Sequence, residues 1–125
     1  MITALVSAFL FAHGLVHLAV WLPHDDTDQP FDPRHSWALA SAGLPRAGVV
    51  DRTAIGLASV TAMLYVIAGA ATAAQGSGWA DAAVLAATVG LVLKSVWFNA
   101  WLSLGVLLDI GVIAAVALSW PGSLY

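Results

Sequence analysis

The chain has 125 residues, of which 61% are hydrophobic and only 9% charged. Soluble domains carry about a quarter charged residues, so this composition is typical of a membrane protein. The net charge is −3 and no cluster of Lys or Arg is present, which argues against a nucleic-acid partner. The absence of cysteine excludes disulfides, thiolate metal sites and cysteine nucleophiles.

Four apolar runs are long enough to cross a lipid membrane, since a spanning helix needs about 20 mostly apolar residues. They are Met1–Leu22, Thr53–Ala74, Trp79–Phe98 and Trp101–Trp120. The first run has no basic residue before it and exceeds a typical signal-peptide core, so we expect a retained span. The sequence therefore predicts an all-α, four-helix transmembrane bundle forming a single domain over residues 1–125.

The segments between these runs have the composition of loops and turns. Residues 23–33 are polar and rich in Pro and Asp, which predicts a loop, here called loop one. Asp32 followed by Pro33 predicts the start of a short interfacial helix over about Arg34–Ala42. We also expect Asp51 to cap the second span, with turns at residues 76–78 and 99–100.

The positions of the aromatic and basic residues predict where the membrane interfaces lie and how the chain is oriented. Aromatic side chains mark both interfaces, with Trp21, Trp97 and Trp101 on the side of loops one and three, and Trp79, Trp120 and Tyr125 on the other. All four basic residues fall on the loop-one side: Arg34, Arg46, Arg52 and Lys94. The positive-inside rule then predicts a multi-pass protein of the cell membrane with loops one and three cytoplasmic.

The helical rise of about 1.5 Å per residue gives a depth for each polar group inside the spans. Measured from the loop-one side, His13 lies about 13 Å deep and Asp109 about 12 Å deep, whereas His17 lies about 7 Å and Lys94 about 6 Å deep. The sequence therefore predicts two pairs by depth, His13 with Asp109 and His17 with Lys94. Thr61 on the second span falls at the deeper level.

Small residues indicate where helices approach closely. Gly105, one turn before Asp109, leaves room for a neighbouring helix, and we expect the fourth span to pack beside the first. Stripes of small residues on the last two spans favour tight packing: Ala82, Ala86 and Gly90 on the third, Gly111 and Ala115 on the fourth.

His13 and His17 lie four residues apart, so they share one helix face. One interpretation is structural, with both rings hydrogen-bonding to neighbouring helices. The other is a divalent metal site of zinc or copper type, formed by His13, His17 and Asp109. Further ligands would come from loop one: His24, Asp25, Asp26 or His35. No Glu follows His13, so the zinc-protease motif is absent, and histidines at this spacing cannot clamp a haem iron from opposite sides.

Asp109 is a candidate functional residue, because an intramembrane carboxylate is a site hypothesis by default. In a functional role, its carboxylate would bind and release a proton or orient a bound ligand. The alternative is a structural ion pair with Lys94. No serine lies in a nucleophile-elbow context, so no catalytic residues are identified and nothing in the sequence requires an enzyme.

Two segments carry a family resemblance. FLFAHGLVHL on the first span and WFNAWLSLGVLLDIGVI on the fourth resemble small, largely uncharacterised bacterial four-helix integral membrane proteins that are distantly DoxX-like. The motif match covers His13 and Gly14, and His17 lies outside it. The DoxX-like group includes members associated with quinone-linked redox enzymes, so the resemblance implies an accessory or hydrophobic-ligand role.

We therefore expect a polar pocket beneath loop one, lined by His13, His17, Lys94, Asn99 and Asp109. The first hypothesis is a non-catalytic accessory module that binds a lipid-like or quinone-like molecule, a partner membrane subunit or a second copy. The second is a metal-binding or ion- and proton-handling protein using His13, His17 and Asp109. The third is a subunit of a membrane redox enzyme.

Overall fold

The computed structural model describes residues 1–22, 28, 30–44 and 47–125. It is all-α, with five helices in the described part of the chain. They are α1 (Ile2–Trp21), α2 (Trp37–Ser41), α3 (Ala47–Ala73), α4 (Trp79–Val96) and α5 (Ser103–Ala117). Single turns of 3₁₀ helix lie at Ala100–Leu102 and Gly122–Leu124. The predicted loop ligands His24, Asp25 and Asp26, and the basic residue Arg46, lie outside the described residues.

Four helical segments are long and apolar enough to cross a membrane, which confirms the predicted four-helix bundle. They are α1, most of α3, α4, and α5 together with the 3₁₀ turn that precedes it, Ala100–Ala117. The chain is a multi-pass membrane protein on this evidence. Neighbouring helices pack in the order α1–α3–α4–α5. The peripheral helix α5 buries little of its surface, since only Asp109 and Val112 are buried along it.

Close approach of α1 and α3 depends on glycine. A Cβ atom on Gly14 would lie 2.8 Å from Cβ of Tyr65 and 3.1 Å from the carbonyl oxygen of Ala62, so only glycine fits there. About two turns before Gly14 on α1, the hydroxyl of Ser7 donates to the carbonyl of Gly69 on α3 at 2.8 Å. These contacts bring the two helices together along most of their length, as small residues do in membrane bundles.

The short helix in the first connection forms, but its cap is not the predicted one. Ser36 is the N-cap of α2, and its hydroxyl accepts from the backbone N–H of Leu39. Asp32 instead accepts from both the backbone and the side chain of Arg34, and the hydrogen bond from the Arg34 side chain lowers the pKa of the Asp32 carboxyl. The predicted cap Asp51 lies inside α3, which begins four residues earlier at Ala47.

Aromatic residues at the loop-one end form a buried cluster in place of a purely interfacial belt. Trp21 and Trp97 are buried and their rings meet edge to face at 6.0 Å. The indole N–H of Trp97 donates to the carbonyl of Pro33, so this cluster fixes loop one to the end of α4. Trp101 and Trp120 are exposed, as an interfacial position requires.

The expected packing of α5 against α1 is limited to side-chain contact, which includes the hydrogen bond between His13 and Asp109. The two helices do not pack closely along their length, and a cleft runs between them. Gly111 and Ala115 line this cleft and are not part of a tight helix contact; a Cβ on Gly111 would meet nothing within 4 Å. On α4, by contrast, Ala86 and Gly90 are buried as predicted. We call this space the α1–α5 cleft.

Replacing Gly14 with Ala should destabilise the bundle by about 1–3 kcal/mol, because the added methyl group collides with Tyr65 and Ala62. The matched control is Gly56→Ala in α3, where a Cβ meets nothing within 4 Å. The control should be neutral or stabilising by up to about 1 kcal/mol, as Ala is the better helix former. Reversible unfolding of detergent-solubilised protein measures both, and equal effects would contradict the proposed close contact.

Candidate functional site

The site is centred on the carboxylate of Asp109 on α5, which is 0% exposed. Its Oδ1 lies 2.8 Å from Nε2 of His13 on α1 and accepts from the hydroxyl of Tyr65 on α3 at 2.6 Å. Its Oδ2 accepts from Nζ of Lys94 on α4 at 2.7 Å. One carboxylate thus accepts hydrogen bonds from each of the other three spanning helices.

A second set of contacts extends this arrangement toward loop one. Nζ of Lys94 lies 2.7 Å from Nε2 of His17, whose Nδ1 lies 2.9 Å from the carbonyl oxygen of His13. We call His13, His17, Tyr65, Lys94 and Asp109 the polar cluster. All five side chains are buried, and no buried polar side-chain atom of the described residues lacks a hydrogen-bond partner.

Two glycines make room for the polar cluster. A Cβ on Gly90 of α4 would lie 2.6 Å from Oδ2 of Asp109, so a larger residue would displace the carboxylate. A Cβ on Gly105 of α5 would lie 2.7 Å from Cε of Lys94. Gly105 therefore accommodates the lysine stem, and not a neighbouring helix backbone as the sequence led us to expect.

Both pairs predicted from depth are in hydrogen-bond contact, His13 with Asp109 and His17 with Lys94. Lys94 also reaches Asp109 directly, although the two were placed about 6 Å apart in depth. The structural ion pair is therefore present alongside the histidine contacts. The Lys94 side chain spans the difference because Gly105 leaves its path open.

Asn99 and His35 lie outside the polar cluster. The Asn99 side chain caps the 3₁₀ turn at Ala100–Leu102 by accepting from the N–H of Trp101, and its amide donates to the carbonyl of Pro30. His35 is exposed and contacts Asp32. Thr61 is buried, and its hydroxyl donates to the carbonyl of Leu57 in its own helix.

Tyr65 is the member that the sequence interpretation missed. Tyrosine in membrane proteins is concentrated at the interfaces, so a tyrosine in the middle of a span is the signal that identifies it. Its hydroxyl donates to Asp109, and its ring contacts both imidazoles, with centroids 4.8 Å from His13 and 5.7 Å from His17.

The α1–α5 cleft contains two pockets that meet near Leu108. The loop-side pocket has a volume of about 310 Å³ and is lined by His13, His17 and Lys94 together with apolar residues of both helices. The terminus-side pocket, of about 360 Å³, is lined by Phe9, Leu107, Trp120 and other apolar residues. The polar cluster therefore forms one wall of an otherwise apolar cleft.

The predicted metal ligands are close together. One ligand atom from each of His13, His17 and Asp109 lies within 4.8 Å of the others, which is compatible with a shared ion. The ammonium of Lys94, however, lies 2.7 Å from both Nε2 of His17 and Oδ2 of Asp109. A metal ion shared by these residues would therefore compete with this ammonium for two of its ligands, His17 and Asp109.

Comparisons with protein-family models, with curated proteins and with solved structures find no match for this chain. The DoxX-like relationship therefore stays a prediction, and the function is inferred from the polar cluster and the α1–α5 cleft.

Lys94→Met and Asp109→Asn should each destabilise the protein by about 3–5 kcal/mol, because each leaves one buried charge without its partner. The double variant should be less destabilised than the sum of the two, with a coupling energy of about 1–3 kcal/mol. Equilibrium unfolding in mixed micelles measures this cycle.

The control for this cycle is the exposed pair Asp32 and Arg34. Its cycle, with Asp32→Asn and Arg34→Met, should give a coupling below about 1 kcal/mol, because water screens the pair. Additive effects at Lys94 and Asp109 would show that the buried contact does not couple the helices.

Proposed function

We propose that this protein is a non-catalytic membrane module that binds a hydrophobic, lipid-like or quinone-like molecule in the α1–α5 cleft. The observation that carries the proposal is the combination of an apolar cleft with one polar wall. Ligand pockets typically occupy about 300–1,000 Å³ and combine apolar walls with a few convergent polar groups. The loop-side pocket has this composition, with His13, His17 and Lys94 as its polar lining.

The location of the cleft supports a ligand taken from the membrane. Its rims carry exposed apolar side chains on both helices, among them Val16 on α1 and Leu104 and Leu107 on α5. A molecule diffusing in the bilayer would reach the polar wall from the side without crossing a charged surface. The head of the ligand would lie against the polar cluster and its chain along the apolar surface of the cleft.

The arrangement favours binding over transport of ions or protons across the membrane. The polar cluster lies toward the loop-one end, and the terminus-side pocket has an apolar lining. Among the described residues in that half, the buried hydroxyls of Ser7 and Thr72 donate to backbone carbonyls. These groups form no chain of titratable side chains that would continue from Asp109 to the opposite surface.

A bulky residue in the loop-side pocket should displace the ligand. Val16 lines this pocket and is about half exposed, so Val16→Trp fills the cleft without entering the core. Leu15→Trp is the matched control, because Leu15 is similarly exposed on α1 but does not line the pocket. Mass spectrometry of protein purified in mild detergent should find a molecule enriched over bulk lipid in wild type and Leu15→Trp, and depleted in Val16→Trp.

A second pair of variants tests the other end of the cleft. Gly111→Phe fills the terminus-side pocket, and Gly56→Phe places the same ring on an exposed face of α3. Loss of the ligand only in Gly111→Phe would show that its chain extends past Leu108. If no molecule is enriched in wild type, the proposal fails; a co-purifying membrane protein lost in Val16→Trp would instead identify the cleft as a subunit interface.

Metal binding is the second candidate, favoured by the proximity of His13, His17 and Asp109. Because the ammonium of Lys94 already contacts two of the three candidate ligands, we expect wild-type protein to hold well below one zinc or copper ion per chain. Lys94→Met should raise the bound zinc toward one ion per chain, and His17→Ala in that background should remove it. Elemental analysis after dialysis measures this. One ion per wild-type chain, lost in His13→Ala and in His17→Ala, would replace ligand binding by metal binding.

A further inference from the structure

The hydrogen bonds of the polar cluster limit what kind of head group it can accept. We infer that the ligand has an uncharged hydroxyl head, as in a long-chain alcohol, an acylglycerol or a hydroquinone, and not a carboxylate, phosphate or ammonium head. This inference rests on the proposed function. It follows from counting the charges, donors and acceptors of the five side chains.

The charges of the cluster cancel within it. Asp109 accepts from Lys94 and Tyr65 and contacts Nε2 of His13, which is the behaviour of an ionised carboxylate. The ammonium of Lys94 lies 2.7 Å from Oδ2 and neutralises that charge. A carboxylate or ammonium head entering the cleft would therefore find no unpaired countercharge, and burying it there would be costly.

His17 is held in one neutral tautomer. Its Nδ1 lies 2.9 Å from the carbonyl oxygen of His13, which can only accept, so Nδ1 carries the hydrogen. Its Nε2 faces Lys94, whose ammonium can only donate, so Nε2 accepts. Both ring nitrogens are therefore used within the protein, and His17 offers nothing further to a ligand.

His13 is held in the opposite tautomer and retains a free acceptor. Its Nε2 carries the hydrogen directed at Oδ1 of Asp109. A second hydrogen on Nδ1 would place two cations against one carboxylate within an apolar span. Nδ1 of His13 has no hydrogen-bond partner among the described residues. Every fully buried side-chain nitrogen or oxygen atom of those residues does have a partner, so Nδ1 is not fully buried. Nδ1 therefore keeps a small accessible surface, and since His13 lines the loop-side pocket, we infer that this surface faces the cleft.

One of the three N–H groups of the Lys94 ammonium makes only a long hydrogen bond within the protein. Two of its three hydrogens are directed at Asp109 and His17, and the nearest further acceptor is the carbonyl of Gly90 at 3.5 Å, a long contact. The cluster thus presents one acceptor nitrogen and one donor hydrogen at zero net charge. A hydroxyl both donates and accepts, whereas a ketone, an ether or an oxidised quinone only accepts.

Competition among matched amphiphiles tests this head-group rule. Wild-type protein in phosphatidylcholine nanodiscs is photolabelled with a dodecanol that carries a diazirine in its chain, and labelled residues are mapped by mass spectrometry. Dodecanol should displace the label at a membrane mole fraction about tenfold lower than dodecyl methyl ether, the effect of about one hydrogen bond. Dodecanoate and dodecylammonium should compete no better than the ether.

The outcomes separate this inference from the proposed function. Best competition by dodecanoate or dodecylammonium, or equal competition by the alcohol and its ether, would overturn the hydroxyl head while leaving ligand binding in place. Labelling that misses the cleft, or that is unchanged in Val16→Trp, would overturn the hydroxyl head as well. The proposed function itself then fails only if the mass spectrometry of purified protein also finds no molecule enriched in wild type and depleted in Val16→Trp. Nitrogen-15 NMR of labelled histidine adds an independent measurement: hydrogen on Nε2 of His13 and on Nδ1 of His17 supports the count, and a doubly protonated His13 contradicts it.

Discussion

The fold depends on how a single buried carboxylate is paired within an apolar bundle. A charge in a membrane span is costly unless other groups compensate it. Asp109 meets this requirement with hydrogen bonds from α1, α3 and α4. Because α5 otherwise buries only Val112, its position relative to α1 and α3 is determined by this one side chain more than by apolar packing. The acid is therefore the element that joins all four spanning helices.

The same constraint explains why a cleft exists. α5 lies along α4 and reaches α1 through side chains, so the two outer helices are linked at His13 and Asp109 without closing on each other. Neither glycine of α5 lies at a close helix contact, because Gly105 faces the Lys94 side chain and Gly111 faces the cleft. Apolar space therefore remains beside the polar groups, which is the composition expected of a binding site for a membrane molecule.

The sequence predicts which polar groups lie at matching levels, but it does not predict which helices pack closely together. Helical rise is nearly constant, so the levels of His13, His17 and Asp109 follow from counting residues. The count carries no information on which helices pack closely, so it does not show that α5 packs along α4 and meets α1 only through side chains such as Asp109. Tyr65 was missed for a related reason, because its role depends on the face of α3 that turns inward. The predicted start of the second span is several residues too late, because Asp51 was taken as a helix cap and instead lies inside α3.

Stability alone does not account for an ion pair in this position. Replacing a buried ion pair by apolar residues of similar volume is often neutral or stabilising, so the pair of Lys94 and Asp109 determines where α5 lies more than it adds to the free energy of folding. What a fully hydrogen-bonded network provides is a fixed geometry, because each member restricts the rotamers and tautomers of the others. Here that network fixes the two histidines in opposite tautomers and leaves their cleft-facing wall ordered and without net charge. An ordered wall binds a ligand without the cost of ordering it first, so the structural and ligand-binding interpretations of the cluster support each other.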